Sequence, residues 1–480
     1  MTALKDILLQ NGPMLSGELA RELAQATGIA ENTASQKVTR SRDIQKIKGF
    51  FVSQQALCYL EEHTDDGALY TSLSQAMQDH GKKYWYCLNA IKKHGGIISQ
   101  KYLECYTNYP VLPLKSHLPF KTIMQKFVSE KILIYDGAYY MFSPKFEKQS
   151  TNYLSYNTIE LIKEDILTNF ESLAKNIGLI SYNTGKAFAE FGKFQWAFKG
   201  VSTVTGLMNK STNGYLLADI LIGHPIYDND VRFFIEKLKH IQSFKNASRI
   251  LPFLLVDDLD RDALLLLKQH GIVVGFINEL FGQKYAETLK ELITILNNAG
   301  ASLKQTPEKY LDLLSELKKY NEGLANNIRG ALFEFLVGHI HSINSNSSVV
   351  IGREIYENGS RHEMDVFVIY PDKIIIAECK AKKAKIDYDT VEKWTNTKLP
   401  AFKKWLNKQE TLRDKPVEFE FWTTSNFDKD ALEHLTNYQS RSTKTKISFL
   451  QSKEIRDYAK KMKNKKLKEA VEDFFLKPKA

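Results

Sequence analysis

The chain has 480 residues, 43% of them hydrophobic and 25% charged, enough for roughly three or four domains that each bury a core. No apolar run approaches the roughly 18 residues of a membrane span, and MTALKDILLQNG carries no apolar signal segment, so a membrane partner is excluded and a cytoplasmic protein is expected. A net charge of +10 suits a polyanionic partner, because neutralised phosphates release counterions. Cys58, Cys87, Cys105 and Cys379 lack CxxC spacing, which predicts reduced, buried thiols rather than a disulfide framework or a zinc site.

Residues 1–65 read as three helices and a hairpin. LKDILLQ is the first helix. SGELARELAQATG is the second, with Ser16 as its N-cap and Gly28 as its stop, and ENTASQKVTRS is the third. IQKIKGFFVS then alternates around Gly49 as a two-stranded wing. This order resembles a winged helix-turn-helix, which implies that the third helix enters the major groove and offers Ser35, Lys37, Thr39, Arg40 and Arg42 to DNA.

Residues 66–150 repeat the plan. LYTSLSQAMQDHG and YWYCLNAIKKHGG are helices stopped by Gly81 and Gly95, and FKTIMQKFVSEK follows Pro119 as another. ILIYDGAYYMF is a hairpin turning on Asp136 and Gly137, so a second winged-helix-like domain is expected. Tyr84, Trp85 and Tyr86 sit at helical spacing and are expected in the core.

From 151 to 300 strands alternate with helices. The strands are GYLLADILIGH, ILPFLLVDDLD and IVVGFI, and this alternation implies parallel pairing in an α/β domain. Asp257 and Asp258 are expected to cap the helix after the second of these strands. Residues 301–328 read as a charged helical connector.

The chemistry concentrates in 329–480. RGALFEFLVGHIHSI places Phe333, Leu336, Val337 and Ile340 on one helical stripe with Glu334 beside it. MDVFVIY and KIIIAECK form a hairpin around Pro371 and Asp372. Alternation along the second strand points Glu378 and Lys380 to one face and Cys379 to the other, with Asp365 at the start of the partner strand able to lie beside them. Carboxylates and an ammonium gathered at the end of an apolar sheet suit a hard divalent cation, Mg²⁺ or Mn²⁺, held by Asp365 and Glu378. Lys380 then orients or deprotonates a water, or neutralises charge growing on a phosphate. His339 and His341 lie at i, i+2 on a helix and point to different sides, which argues against a shared metal.

GALFE, then MD, then ECK resembles the PD-(D/E)XK nuclease superfamily, which includes restriction endonucleases and Mrr-like enzymes. The resemblance spans about 329 to 425 and implies that Glu334, Asp365 and Glu378 serve the metal while Lys380 joins them in catalysis. Met364 stands where the family carries a proline. Asp219 in YLLADILIG is similar to the Asp-bearing strand of the same superfamily, but no E-X-K follows it, which implies an inactive nuclease-like domain or a ligand-sensing one.

The expected fold class is therefore a multidomain α+β and α/β chain: tandem winged helices, a nuclease-like α/β middle domain and a C-terminal restriction-endonuclease-like α/β/α domain. The implied function is a Mg²⁺-dependent endonuclease hydrolysing double-stranded DNA in restriction or antiviral defence, with a homodimer as the natural route to double-strand cutting. Two rivals stand beside it: a ligand-gated nuclease acting on RNA or single strands, and a non-catalytic DNA-binding regulator.

Overall fold

The computed structural model describes residues 3–64, 67–114, 117–146, 153–207, 213–244, 247–297, 311–313, 316, 324–325, 328–343, 346–357, 359–441 and 445–476. It is a mixed α/β molecule with four sheets among those residues. The chain divides into two units, one made of Met1–Gln149 with Leu167–Phe276 and the other of Ser150–Ile166 with Ile277–Ala480. Most of the expected connector at 301–328 lies outside the described residues. Among the described residues no helix is long and apolar enough to cross a membrane.

The first unit opens with α1 (Ala3–Asn11), β1 (Met14–Leu15), α2 (Ser16–Thr27), α3 (Glu31–Arg40), β2 (Gln45–Lys48) and β3 (Ala56–Tyr59). The strands form an antiparallel sheet in the order β1-β3-β2. Leu8, Leu19, Leu23, Ala34 and Val38 recur at helical spacing and close one apolar core. Gly28 ends α2 in the left-handed region at φ 70°, its N–H bonded to the Ala24 carbonyl. Two expectations are corrected. Ser16 is the first residue of α2 and not its cap, because Glu18 accepts the Leu15 N–H while the Ser16 hydroxyl accepts the Ala56 N–H at 3.1 Å. The second strand of the hairpin is β3, since Phe50 and Phe51 turn inward as buried anchors of the connection.

A second run of that order, preceded by one extra helix, α4 (Ala68–His80), follows: α5 (Lys82–Lys93), β4 (Ile97–Ser99), α6 (Gln100–Cys105), α7 (Phe120–Ser129), β5 (Leu133–Tyr135) and β6 (Tyr139–Phe142), with sheet order β4-β6-β5. Asp136 accepts the N–H groups of Ala138 and Tyr139, and Gly137 supplies the positive φ of the turn. Tyr84, Trp85 and Tyr86 are buried. All four cysteines are free and buried.

Next come α8 (Tyr153–Asn176), β7 (Lys186–Phe191), β8 (Phe194–Ser202), β9 (Gly214–Leu221), α9 (Asp228–Gln242), β10 (Ile250–Val256), α10 (Arg261–Gln269) and β11 (Val273–Phe276). The three strands read from the sequence pair in parallel, but β7 and β8 add an antiparallel hairpin, giving the order β11-β10-β9-β8-β7. The pattern of β7 is weak because it is a half-exposed edge strand. Asp260, not Asp257 or Asp258, caps α10 by accepting the Asp262 N–H; Asp257 instead accepts the Gly223 N–H.

In the second unit, α11 (Ile277–Phe281) and α12 (Gln283–Asn297) precede α13 (Arg329–Ser342), β12 (Ser348–Glu357), β13 (Ser360–Ile369) and β14 (Ile374–Lys380). After them come α14 (Tyr388–Lys393), a π-helical turn (Trp394–Lys398), α15 (Leu399–Asn407), β15 (Val417–Thr423), α16 (Lys429–Arg441) and β16 (Lys446–Leu450). The sheet runs β12-β13-β14-β15-β16, antiparallel across the first three strands and parallel across the last three. Ile374, Ile376, Phe419 and Phe421 pack one face of it against Trp394, Leu399, Phe402 and Leu435. α13 is buried from Ala331 through His341 and not on a single stripe, since Phe475 of the C-terminal segment also packs on Phe333.

Candidate active site

β13 and β14 pair from Ile369–Ile374 up to Val366–Ala377, and there the two strands part. The next residue on each is charged: Asp365 on β13 and Glu378 on β14. Asp365 is thus the sixth residue of a ten-residue strand and not its first, and it immediately precedes the stretch paired with β14. The parting leaves room for polar groups inside a hydrophobic layer, with Ile376, Ala377 and Val366 below.

Both carboxylates are buried and both are engaged. Asp365 Oδ2 accepts the Cys379 N–H at 2.7 Å and faces Lys380 Nζ at 3.2 Å. Lys380 Nζ lies 2.7 Å from Glu378 Oε1. The alternation of β14 sends Cys379 to the opposite side, where it is buried. Lys398, the last residue of the π-helical turn, places its ammonium 2.7 Å from both Glu378 oxygens. Glu334 looks on from α13, close enough for its charge and those of Asp365, Glu363, Lys380 and Glu378 to act on one another. Its Oε2 is buried without a hydrogen-bond partner among the described residues.

Burial, followed by the Asp365 and Glu363 charges, holds the Glu334 carboxyl well above the usual range. Burial and Glu378 also raise Asp365. Glu363 is pushed up to about 7 by burial, Asp365 and its cross-strand neighbour Glu354. Glu378 behaves oppositely: burial works to raise it, but Lys380 and Lys398 together hold it below the usual range. Burial opposes the charge on Lys380 too, yet Asp365 and Glu378 keep it a firmly protonated ammonium.

Four carboxylates, Glu334, Glu363, Asp365 and Glu378, therefore share two ammonium groups, Lys380 and Lys398. Among the described residues no three His, Cys, Asp or Glu side chains stand as a formed metal centre; Asp365 and Glu378 turn their oxygens to the lysines. The donor set nevertheless fits a hard divalent ion. It consists of carboxyl oxygens, three of the groups crowded enough for burial and like charge to raise their pKa, and includes one orphaned oxygen on Glu334.

Lys398 and Glu363 are the site residues that sequence reading missed. Glu363 precedes Met364 in the motif itself and is legible there. Lys398 follows Glu378 only after a loop and a further helix, and nothing local marks it. His362, beside the motif, sits on β13 opposite Ile355, its imidazole pKa lowered by burial and by Lys398. His341 Nδ1 meets the Tyr370 hydroxyl at 3.0 Å and its Nε2 meets Glu420 Oε2 at 3.1 Å, so it belongs to a separate buried network.

In the first unit, Ser35, Lys37, Thr39, Arg40 and Arg42 are all exposed, whereas Ala34 and Val38 turn into the core. Thr39 Oγ1 donates to the Ser35 carbonyl at 2.9 Å. Ser35, Lys37, Thr39 and Arg40 are thus presented to solvent from α3, whereas Arg42, expected on the same helix, lies beyond its end at Arg40.

The middle sheet repeats the C-terminal sheet strand for strand, with three antiparallel strands followed by two parallel additions. Its β8–β9 pairing ends at Phe198–Ala218, as β13–β14 pairing ends at Val366–Ala377. One step further, Ala197 faces Asp219 where Asp365 faces Glu378, and Leu221 takes the place of Lys380. Asp219 keeps a lysine partner from the following helix: Lys237 Nζ lies 2.7 Å from its Oδ2, and both side chains are fully buried. Lys237 also donates to the carbonyls of Cys105 and Gln195 and sits 4.0 Å over the Trp196 ring.

No protein-family model matches the chain, and no curated protein does. Among solved structures, Can2 from Sulfobacillus thermosulfidooxidans, in complex with cyclic tetra-adenylate, is 14% identical over 50% of this chain and 82% of its own, with a TM-score of 0.22. Protein VC1899 from Vibrio cholerae is 10% identical over 50% of this chain and 53% of its own, with a TM-score of 0.18. Likenesses at these TM-scores carry no argument about fold or activity.

Proposed function

We propose that the chain is a metal-dependent nuclease of the PD-(D/E)XK type, with its active site at the parting of β13 and β14. The observation that carries this reading is the meeting of Asp365, Glu378 and Lys380 where the β13–β14 pairing ends, with Glu334 close to them on α13. Asp365 and Glu378 would hold the ion, Mg²⁺ or Mn²⁺, with the orphaned Glu334 oxygen behind them. When bound, such an ion supplies a hard positive charge that polarises a phosphoryl oxygen and acidifies an attacking water.

The chain's own groups do the positioning. The Cys379 N–H fixes the Asp365 carboxylate through a 2.7 Å bond. Lys380, held against Asp365 at 3.2 Å and Glu378 at 2.7 Å, is assigned to stabilising the charge that develops on the scissile phosphate. The middle sheet, with Ala197 and Leu221 at the corresponding places, is a nuclease-like domain that has lost its chemistry. The two small modules of residues 3–142 have the element order and sheet order of winged helices, and the exposed face of α3 is assigned to duplex DNA.

The test is incubation of the purified chain with supercoiled plasmid, single-stranded DNA and RNA, in Mg²⁺ and in EDTA. The expected result is plasmid cleavage that requires Mg²⁺ and disappears in Asp365→Ala. Failure to cut any of the three substrates, or cutting that survives both EDTA and Asp365→Ala, overturns the assignment.

A further inference from the structure

The place of Lys398 is not explained by the motif. A carboxylate that is to ligate a cation already carries two ammonium groups, and the second grips it through both oxygens at 2.7 Å. The middle sheet holds a comparable pair. There Asp219 is neutralised by Lys237 from the equivalent helix, and the pair is sealed from solvent. Ala197 and Leu221 stand at the other motif positions, and the acid with its helix lysine is what the two sheets share. An acid at this register position therefore has a helix lysine as its counter-ion in both sheets.

The two pairs differ in how firmly the lysine is held. Lys237 is fully buried and has two backbone carbonyls besides Asp219. Lys398 retains 20% of its side-chain exposure, and among the described residues its hydrogen bonds go to Glu378 alone. It also leaves from a π-helical turn, a backbone irregularity that recurs at functional sites.

We propose that Lys398 is a resident counter-cation of the metal site: it occupies Glu378 while the site is empty and must be displaced for a divalent ion to bind, so that it sets the metal affinity. This rests on the nuclease reading above. Lys398 is a positioning residue for Glu378, distinct in role from Lys380, which stays beside Asp365.

The experiment is calorimetric titration of the full chain with Mn²⁺, in wild type, Lys398→Met, Lys398→Gln and Lys398→Arg. Removing the competing charge should tighten Mn²⁺ binding by about tenfold or more in the Met and Gln variants, whereas Arg should stay within about threefold of wild type. A Kd for Met and Gln that is unchanged or weaker than wild type overturns this inference and leaves the nuclease reading intact. Absence of Mn²⁺ binding in every chain overturns both. A second readout needs no substitution: in the wild type, Lys398 should react faster with an amine-directed acylating reagent when Mn²⁺ saturates the site, as followed by peptide mass spectrometry. Equal labelling with and without Mn²⁺ overturns the displacement.

Discussion

Lys237→Met is the most informative perturbation of the middle sheet. The substitution keeps the length of the side chain and its packing against Trp196, but among the described residues it leaves Asp219 with the Ala197 N–H as its remaining partner. Removing one member of a fully buried ion pair costs about 3–5 kcal/mol, because the other charge stays behind in a low-dielectric interior. The carboxyl can limit that loss by taking a proton. Its folded pKa then stands above its unfolded value near 3.9, so stability declines with rising pH between the two, by about 1.4 kcal/mol per unit. The deficit of the variant against wild type should therefore be larger at pH 8 than at pH 6. Hydrogen exchange of peptides from β9 and α9 is the suitable assay, since a chain with more than one unit has no single unfolding free energy. The double variant Asp219→Leu/Lys237→Met should recover most of the loss. A deficit below about 1 kcal/mol refutes the view of Lys237 as the required counter-ion of Asp219.

At the C-terminal site, Asp365→Ala and Lys380→Ala should each lower cleavage by about 10³-fold or more, while duplex affinity stays within about threefold in gel-shift or anisotropy titrations. Glu334→Gln should give a smaller loss of cleavage, since it removes charge while keeping a side chain of the same size; wild-type rates would make Glu334 a packing residue. Replacing Lys37, Arg40 and Arg42 together should weaken duplex binding and flatten its salt dependence, each lost phosphate contact lowering the log-log slope by about 0.9. The cleavage rate at saturating DNA should survive that triple change, and an unchanged salt slope would assign α3 to protein contacts instead.

Much of the local structure is legible in the sequence because its signals are local. Apolar residues recurring every three or four positions mark α1, α2, α3 and α9, and continuous apolar runs mark β10, β11 and β14. What escapes is structure that depends on distant partners. β12 and β7 carry mixed patterns because neighbouring strands, rather than their own periodicity, decide their conformation. Ser16 looks like a cap from its position alone, yet β3 lies near enough to claim its hydroxyl. The burial of α13 on every side depends on Phe475, near the far end of the chain.

The site divides in the same way, and the division has a physical origin. Strand alternation is a rule of period two, so Glu378 and Lys380 share a face in any strand, and reading that pairing requires no tertiary information. The helix lysine obeys no such rule. It is selected by charge: a buried carboxylate at the parting of two strands must be hydrogen-bonded, protonated, paired or metal-bound, and any lysine that the following helix can extend to that point will satisfy it. The chain meets this requirement with Lys398 for Glu378 and with Lys237 for Asp219, at different separations along the sequence, so spacing alone does not identify either. Asp219 stands in the sequence as an acid without an E-X-K, and its solitude is explained by Lys237, which neutralises it without help from further acids. Asp365 and Glu378 lie together with Glu334 and Glu363 near them, and despite the two lysines the carboxyls of Glu334, Glu363 and Asp365 are held above their usual range. That crowding of acids, not seen around Asp219 among the described residues, is what the proposed metal site has and the Asp219–Lys237 pair lacks.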